Sequence, residues 1–331
     1  MILAGDVGGT RTRLGLFESV DGSLKPVWKQ TVLNADHTSI EDVLARSVRP
    51  REVAVEAACF GAAGPVENGV CRMTNLDWTL DAAALTASAG IGVVSVVNDL
   101  TAIAVAVAHM PEESFVVLQT GSHPWGRGSM AVVAPGTGLG EAGLHWDGVR
   151  HRVMPSEGGH ADFAPASPLE DELRAHLSGP AGKHVSWERV ISGPGLAAIA
   201  GFLAESGRFD WPVELAAVPP DQRPAVIAER ARAGSCAVSG MALGLFAGVL
   251  AREGGNAALR YLAMGGLCFA GGIPPAILPA LQQPGFMRAL TGKGRMESLL
   301  RSVPVRVAKD PDAGLFGSAR LAVESLDASE A

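Results

Sequence analysis

Short apolar runs alternate with helical patterns along the first hundred residues, and this alternation constrains the fold more than any other feature of the sequence. Four runs predict strands, the first two placed around a glycine turn: Ile2–Gly5, Arg13–Phe17, 53–60 and 92–97. Helical periodicity lies between them, at about 39–48 and 80–89. Strands and helices in this order predict an α/β layer architecture.

A second series of strands begins near residue 115. Strands are predicted at 115–119 and 130–134, with a turn at 135–141 and a return strand at about 142–146. The segment 188–252 is mostly helical in pattern, and Ser192-Gly193-Pro194 places a cap and an early proline where a helix can start. AGDVGGTRTRLGLF and VVAPGTGLGEAGLHW both predict strand, Gly-Thr turn, strand, which suggests two similar lobes facing one ligand.

Size and charge narrow the class of protein. A chain of 331 residues exceeds the size at which one core usually stops growing, so about two domains are expected. The net charge of −7 leaves no basic footprint for nucleic acid or an anionic membrane, and a small-molecule partner is expected instead.

The cysteines and the most apolar stretches indicate a cytoplasmic protein. Cys59, Cys71, Cys236 and Cys268 are far apart and form no C-x-x-C pair, which predicts buried, reduced thiols. The N-terminal MILAGDVGGT lacks the basic region of a signal peptide. The apolar run 237–251 is too short for a bilayer, and 261–281 is broken by Gly-Gly and Pro-Pro, so no membrane span is expected.

Two glycine turns could face phosphate. The first, Asp6-Val7-Gly8-Gly9-Thr10, offers open backbone N–H groups, a hydroxyl and a carboxylate able to hold a metal hydrate, although an ordinary hairpin turn has the same composition. The second, Gly136-Thr137-Gly138-Leu139-Gly140, contains G-x-G-x-x-G. A dinucleotide site requires a helix after that motif, whereas a strand is predicted here, so a second phosphate-facing loop is expected.

Two further stretches could bind ligand. PSEGGHADFAP (155–165) contains Glu157 and His160 as E-x-x-H, a spacing that binds metal when it lies on a helix. The Gly-Gly pair between them disfavours a helix. The segment is therefore expected to be a loop, which either presents Glu157 and His160 to a polyol or is purely structural. AMGGLCFAGGIPPAIL (263–278) predicts a buried strand, a turn and a helix begun by prolines. The turn at Gly271-Gly272 would let a flat ring lie on backbone, or would serve only close helix–strand packing.

Asn98 and Asp99 lie between VSVV and TAIAVAV, where a buried strand ends and a helix begins. Ligands of α/β sheets bind at such strand ends. A helix N-cap is the alternative role for Asp99, because aspartate is favoured before a helical run for backbone reasons alone.

Together these segments resemble the bacterial ATP-dependent glucokinase family, of the hexokinase type, within the sugar kinase and actin superfamily. Seven motifs carry the resemblance in order from Gly5 almost to the end of the chain: GDVGGT (5–10), MTNLDW (73–78), VNDLTA (97–102), GTGLGEA (136–142), EGGHADFAP (157–165), ERVISGPGL (188–196) and AGGI (270–273). The Cys-rich zinc motif of the related repressor and kinase family is absent from the sequence, which favours the non-zinc branch.

The resemblance implies an α/β fold of two ribonuclease-H-like (actin-like ATPase) lobes with a central cleft. The small lobe is expected to comprise 1–108 plus 304–331, and the large lobe 109–303. It implies a cytoplasmic homodimer that phosphorylates D-glucose to glucose 6-phosphate with ATP and Mg²⁺, the first step of glycolysis.

Residue roles follow by matching positions to the family's motifs. Asp99 would be the base for the sugar 6-hydroxyl, while Asn75, Asn98, Glu157, His160 and Glu188 would bind the sugar. The phosphates would lie against Gly8, Gly9, Thr10, Gly136, Thr137 and Gly138, and the adenosine against Gly271 and Gly272. Asp6 would act through water on the magnesium ion. Phosphoryl transfer needs mainly such positioning, and an aspartate, ionised at neutral pH, can accept the hydroxyl proton.

Two alternatives to this function remain at the level of sequence. One is a kinase for another hexose or with a polyphosphate donor. Arg11, which stands where asparagine is common in the family, bears on nucleotide affinity and on the choice of donor. The other is a sugar sensor without catalysis. Such regulators carry a DNA-binding domain ahead of the first phosphate loop, and only four residues precede Gly5 here.

Overall fold

The computed structural model describes residues 1–20, 23–73 and 76–330. Contacts within the chain divide it into unit 1 (Met1–Met110 with Pro311–Ala331) and unit 2 (Pro111–Asp310). The strands are β1 Ile2–Val7, β2 Arg11–Val20, β3 Ser23–Leu33, β4 Ala57–Ala62, β5 Val66–Glu67, β6 Val70–Arg72, β7 Thr79–Asp81, β8 Val93–Asn98, β9 Phe115–Gln119, β10 Met130–Pro135, β11 Leu139–Trp146, β12 His151–Ser156, β13 Gly266–Phe269 and β14 Val305–Ala308. The helices are α1 Ile40–Ser47, α2 Ala82–Ala89, α3 Asp99–His109, α4 Pro168–Ser178, α5 Gly193–Glu205, α6 Val213–Ala216, α7 Arg223–Ala233, α8 Ala237–Arg260, α9 Ile273–Ala276, α10 Leu278–Leu281, α11 Pro284–Thr291, α12 Glu297–Ser302 and α13 Ala313–Glu330.

Unit 1 is built on a five-stranded sheet with the order β3-β2-β1-β4-β8. β1 pairs with β2 in an antiparallel hairpin and with β4 in parallel, and β4 continues in parallel to β8. Apolar side chains cover both faces: Leu3, Leu14 and Phe60 belong to one cluster, and Ile2 and Phe17 to a second that includes residues of α13. β1 and β4 are buried on both sides, as expected where helices cover a sheet, whereas the edge strand β8 is mostly half-buried.

Helix α13 carries the chain back to unit 1 and closes its core. It packs on β1, β4 and α3, and its buried Ser318 donates a hydrogen bond from Oγ to the carbonyl of Gly5 at 3.0 Å. Leu315 and Ala319 complete the apolar cluster on that face of the sheet.

Unit 2 is built on a six-stranded sheet with the order β12-β11-β10-β13-β14-β9. β10 forms an antiparallel hairpin with β11 and runs parallel to β13, and β13 runs parallel to β14. The long helix α8 buries Phe246 and Leu250 against this sheet's core together with α5, α7 and α11. The hairpin followed by parallel strands repeats the topology of unit 1, so the similarity expected from the two Gly-Thr turns is confirmed.

The α/β class is confirmed, while several strand boundaries differ from expectation. The strand predicted at 53–60 begins only at Ala57, and the return strand predicted at 142–146 begins already at Leu139 because β11 pairs with β10 up to Pro135. The segment 304–310, expected in the small lobe, lies in unit 2. The reason is that Val305–Ala308 pairs with β13 and β9 inside the second sheet.

In the described part of the chain, no single helix is long and apolar enough to cross a bilayer. One bent pair, α7 with α8 at 102°, meets the test by length and composition only.

Candidate active site

The first glycine turn connects β1 to β2 at the carboxyl end of β1. Within it, Gly8 N–H donates to the carbonyl of Arg11 at 3.0 Å, and Thr10 and Arg11 are exposed. The turn is therefore the predicted hairpin, and its outer backbone can meet a ligand.

A buried asparagine that the sequence reasoning missed holds this turn in place. Asn34 donates from Nδ2 to the carbonyl of Gly8 at 2.8 Å and accepts from Thr12 Oγ1 at 2.7 Å. Its backbone N–H donates to the carbonyl of Thr10 at 3.0 Å. Asn34 is 2% exposed, so its bonds are made without competition from water and fix the turn from behind.

Asp6 lies in β1, directly across the hairpin from Arg13. Arg13 Nη1 donates to Asp6 Oδ2 at 2.9 Å, and Arg13 Nε lies 3.6 Å from Asp312. Burial raises the pKa of the Asp6 carboxyl above its usual range, and the neighbouring Arg13 opposes that rise. The ion pair thus favours a charged carboxylate beside the glycine turn.

Asn98 and Asp99 mark the junction of β8 and α3. Asn98, not Asp99, is the N-cap: its Oδ1 accepts from Leu100 N–H at 3.0 Å, and its Nδ2 donates to the carbonyl of Gly64 at 3.1 Å. Asp99 is the first helical residue, half-buried, and its Oδ1 also accepts from Leu100 N–H, at 2.8 Å. The carboxylate lies at the positive end of the α3 dipole, which stabilises its charged form.

The glycine turn and Asp99 follow strands that end at the same edge of the first sheet. Val7, Ala62 and Asn98 are register partners at the ends of β1, β4 and β8. Two inter-strand spacings separate the outer two strands, roughly 10 Å. Unit 1 therefore presents an anion-facing turn and a carboxylate at the strand ends where α/β sheets bind ligands.

In unit 2 the second glycine loop follows β10. Gly136 N–H donates to the carbonyl of Gly138 at 2.8 Å, and the carbonyl of Gly136 accepts from Gly193 N–H at 2.8 Å. Gly193 begins α5, whose N-cap Ser192 accepts from Gly195 N–H through Oγ at 3.1 Å. The loop 136–138 thus rests on a helix N-terminus, a favourable place for an anion.

Gly271 and Gly272 lie beside this loop. β13 ends at Phe269, which pairs with Val133 of β10, and Ala270 N–H donates to the carbonyl of Val133 at 3.0 Å. Gly271 packs against the carbonyl of Pro135 at the end of β10. The structure therefore brings together all five glycine and threonine positions of unit 2 that were predicted for the nucleotide.

Glu157, His160 and Glu188 form a polar cluster in unit 2. The two nitrogens of the His160 ring lie 3.9 Å from Glu157 Oε2 and 3.9 Å from Glu188 Oε1. Glu157 directly precedes a 3₁₀ turn at Gly158–His160, and His160 ends it. Glu188 N–H donates to the carbonyl of Gly159 at 2.9 Å. Glu157 and His160 are 74% and 61% exposed, so acceptors and an imidazole are available to a ligand.

Of the predicted sugar-binding residues, Asn75 lies outside the described residues.

Glu141 on β11 is fully buried and forms an ion pair at 2.8 Å with Arg260 at the end of α8, whose side chain is 40% exposed. Sequence reasoning did not single out this pair. Their separation of 119 residues leaves no local pattern to find. The motif GTGLGEA was the available signal, since it contains Glu141.

Comparison with known proteins agrees with this arrangement. The model of the family described as "Glucokinase" matches residues 3–325. The chain belongs to the glucokinase family. A curated relative, the glucokinase of Synechocystis, is 37% identical, with 98% of each chain covered. The chain is thus an enzyme of the glucokinase class.

Solved structures share the fold. A glucokinase from an Antarctic psychrotroph gives a TM-score of 0.83 at 29% identity, covering 98% of this chain and 99% of that one. A ROK family glucokinase from Streptomyces griseus, in complex with glucose and AMPPNP, gives 0.67 at 23% identity, with 98% and 99% covered. The two-unit actin-like ATPase fold expected from the motifs is confirmed.

Proposed function

We propose that this enzyme transfers the γ-phosphoryl group of ATP to the 6-hydroxyl of D-glucose, with Asp99 as the general base. The observation that carries the proposal is the placement of Asp99 and the glycine turn at one edge of the first sheet, at the ends of β8 and β1. Asp99 accepts the hydroxyl proton as the oxygen attacks phosphorus. The helix dipole of α3 favours the charged carboxylate that this task needs.

The nucleotide is bound mainly by backbone. Gly9 and Thr10 offer N–H groups and a hydroxyl to the phosphates beside Gly8, whose own N–H closes the turn on the carbonyl of Arg11. At the N-terminus of α5, Thr137 and Gly138 do the same beside Gly136, whose N–H donates to the carbonyl of Gly138. Gly271 and Gly272 leave room for the adenosine ring. Because these groups are fixed by Asn34 and by α5, they need little rearrangement when charge develops on the transferred phosphoryl group.

Magnesium fits the donor set at Asp6. Mg²⁺ keeps several waters and is usually held by one or two carboxylates with substrate phosphates. Asp6, whose Oδ2 is engaged by Arg13, would hold the hydrated ion through water. When bound, the ion neutralises charge on the phosphate oxygens.

Glucose is bound by hydroxyl-pairing side chains. Glu157, His160 and Glu188 would hold sugar hydroxyls in unit 2, and Asn98 and Asn75 are assigned the same task in unit 1. Two carboxylates suit a neutral polyol, since each accepts from more than one hydroxyl, and they repel a phosphorylated sugar. We also propose a cytoplasmic homodimer acting at the first step of glycolysis, and a monomeric mass in solution would contradict the dimer.

The test of this function is a coupled assay for glucose 6-phosphate with a panel of sugars and phosphoryl donors. We expect turnover that requires both ATP and glucose. Epimers of glucose should be far poorer substrates, because a missing or misplaced hydroxyl leaves an acceptor of the site unpaired. Equal or faster turnover with another hexose or with polyphosphate would replace the assignment. Tight glucose binding without turnover would instead support a sugar sensor.

A further inference from the structure

Two buried carboxyl groups, both paired with one partly exposed arginine, lie beneath the sugar-binding turn of unit 2. Glu141 on β11 and Glu253 on α8 are both 0% exposed. Arg260 bridges them, with Nη1 2.8 Å from Glu141 Oε2 and Nη2 3.0 Å from Glu253 Oε1. Asn256 donates to Glu253 Oε2 at 2.8 Å and accepts from Lys293 Nζ at 2.6 Å.

The two carboxyl groups hold the same guanidinium, and the interaction with Glu253 raises the pKa of the Glu141 carboxyl. Glu141 Oε1 has no donor among the described residues, although it is buried. Two carboxylates can form a hydrogen bond only if one of them carries a proton. A proton on Glu141 Oε1, donated to Glu253, satisfies the orphaned oxygen and leaves one negative charge to pair with Arg260.

The charged groups around Glu141, on the elements that pack against it, support a proton on this carboxyl. On α8, Glu253 raises the pKa of Glu141 and Arg260 lowers it, while burial raises it most, to about 8. Lys293, which follows α11, lies near Glu253. β12 places Ser156 opposite Glu141, and Glu157 and His160 follow it. The net result is a carboxyl group whose pKa is raised well above its usual range.

Glu141 also contacts the turn that carries the sugar-binding residues. A Cβ on Gly158 would collide with Glu141 Oε2 and would lie 2.9 Å from Ser156 Oγ, so the carboxyl packs directly on the backbone there. Gly158 N–H donates to Ser156 Oγ at 2.8 Å, and the Gly158 carbonyl accepts from Ala161 N–H at 3.0 Å. Gly158 is thus the point at which β11 supports the turn between Glu157 and His160.

We propose that Glu141 is a positioning residue, which shares a proton with Glu253 and through Gly158 holds Glu157 and His160 in place for the sugar. Loss of that proton leaves two buried carboxylates facing each other with one arginine between them. Their repulsion displaces the Glu141 carboxyl against Gly158 and loosens the turn. The inference rests on the proposed function, since it assigns Glu141 to the binding of glucose.

The kinetic test compares KM for glucose at about pH 7 and about pH 9 in the wild type and in Glu141→Gln. We expect only enzyme with a protonated Glu141 to hold the turn in place. The fraction of enzyme in that form falls about tenfold over this pH range, so KM for glucose in the wild type increases about tenfold. Glutamine resembles the protonated acid, so the increase is lost in Glu141→Gln. KM for ATP does not follow this dependence in either protein.

Glu297→Gln is the matched control, because Glu297 is 44% exposed and pairs with Arg301 on the surface of α12. This variant retains the wild-type dependence of KM for glucose on pH. A tenfold increase that persists in Glu141→Gln, or no increase in the wild type, would overturn the proposal.

A second measurement does not depend on turnover. In wild-type protein labelled with ¹³C-glutamate, NMR should show one side-chain carboxyl that remains protonated near neutral pH and titrates at about 8. That signal should be missing from Glu141→Gln. If every glutamate carboxyl is ionised at neutral pH, the inference fails even where glucose is phosphorylated. If the protonated carboxyl is present but glucose is not a substrate, the proposed function alone fails.

Discussion

Glu188 accepts a hydrogen bond from the backbone N–H of Leu139, with 2.9 Å between Oε2 and the nitrogen. Leu139 directly follows the loop assigned to the phosphates, and Glu188 is assigned to the sugar. One carboxylate therefore fixes the phosphate loop and faces the hydroxyl-binding cluster at the same time.

Two substitutions of Glu188 should separate these tasks. Glu188→Gln keeps an oxygen for Leu139 N–H and weakens the hydroxyl contact, so KM for glucose rises about tenfold or more while KM for ATP changes little. Glu188→Ala removes the oxygen that accepts from Leu139 N–H and also the hydroxyl contact, so KM for glucose and KM for ATP both rise. Steady-state kinetics with each substrate varied checks this, and equal effects of the two variants on ATP would contradict the link.

Gly138→Ala should impair glucose binding although Gly138 belongs to the phosphate loop. An added Cβ would lie 2.5 Å from Glu188 Oε2 and push the carboxylate away. The displaced carboxylate loses its hydrogen bond to the sugar, and a hydrogen bond to a charged group contributes about 1.5–3 kcal/mol, so KM for glucose rises about tenfold or more. Gly201→Ala on α5 is the control, because its Cβ would meet open space. An unchanged KM in Gly138→Ala would show that Glu188 can move freely.

Asp99→Asn should lower kcat about 10²–10⁴-fold, the usual contribution of a general base, while leaving KM for glucose nearly unchanged. Circular dichroism should show a folded protein, since Asn98 still caps α3. The exposed Asp36→Asn serves as the control in the same unit and retains full turnover. Near-normal kcat in Asp99→Asn would assign the base elsewhere.

The free energy of unfolding should fall as pH rises from about 4.5 to about 8 because of Glu141. Burial raises its pKa in the folded protein to about 8, whereas the unfolded chain loses that proton near its usual pKa of 4.5. Between these values the folded state binds one more proton, so stability decreases by up to about 1.4 kcal/mol per pH unit and then levels off. Urea titrations of wild type and Glu141→Gln over this range measure the difference. Parallel curves for the two proteins would contradict the assignment.

Thiol reagents should distinguish Cys236 from the other cysteines. Burial raises the pKa of Cys59 and of Cys268 to about 12, and Cys71 is buried as well. Cys236 precedes α8 and is half-buried, so one thiol per chain should react quickly and be lost in Cys236→Ser. Full reaction of four thiols in the native protein would show that the cores open readily.

Strands and helices could be predicted from the sequence wherever the signal lay within a few neighbouring residues. β1, β8 and α5 follow from apolar runs and a cap, and the predicted loops at Gly136 and Gly271 meet because β10 and β13 pair in parallel. β3 was missed because it is an edge strand whose side chains are mostly exposed, so it lacks the apolar signal of a buried strand.

Long-range polar contacts account for the rest of what was missed. Asn34 binds Gly8 across 26 residues of sequence and Thr12 across 22. An asparagine in such a position has no periodicity, and only the fold shows that its amide satisfies a turn.

Cys236 was expected to be buried like the other three cysteines, but its place just before α8 leaves it half-exposed.

The return of α13 to unit 1 has a consequence for synthesis of the protein on the ribosome. The first 110 residues emerge early. The apolar face formed by Ile2, Ala4 and Phe17 stays uncovered, however, until Leu315 and Ala319 of α13 have been translated. About 200 residues of unit 2 are translated in between, which takes roughly 10–40 s at typical rates. Unit 2 can therefore finish folding first. Until then the nascent unit 1 exposes an apolar surface that chaperones can shield.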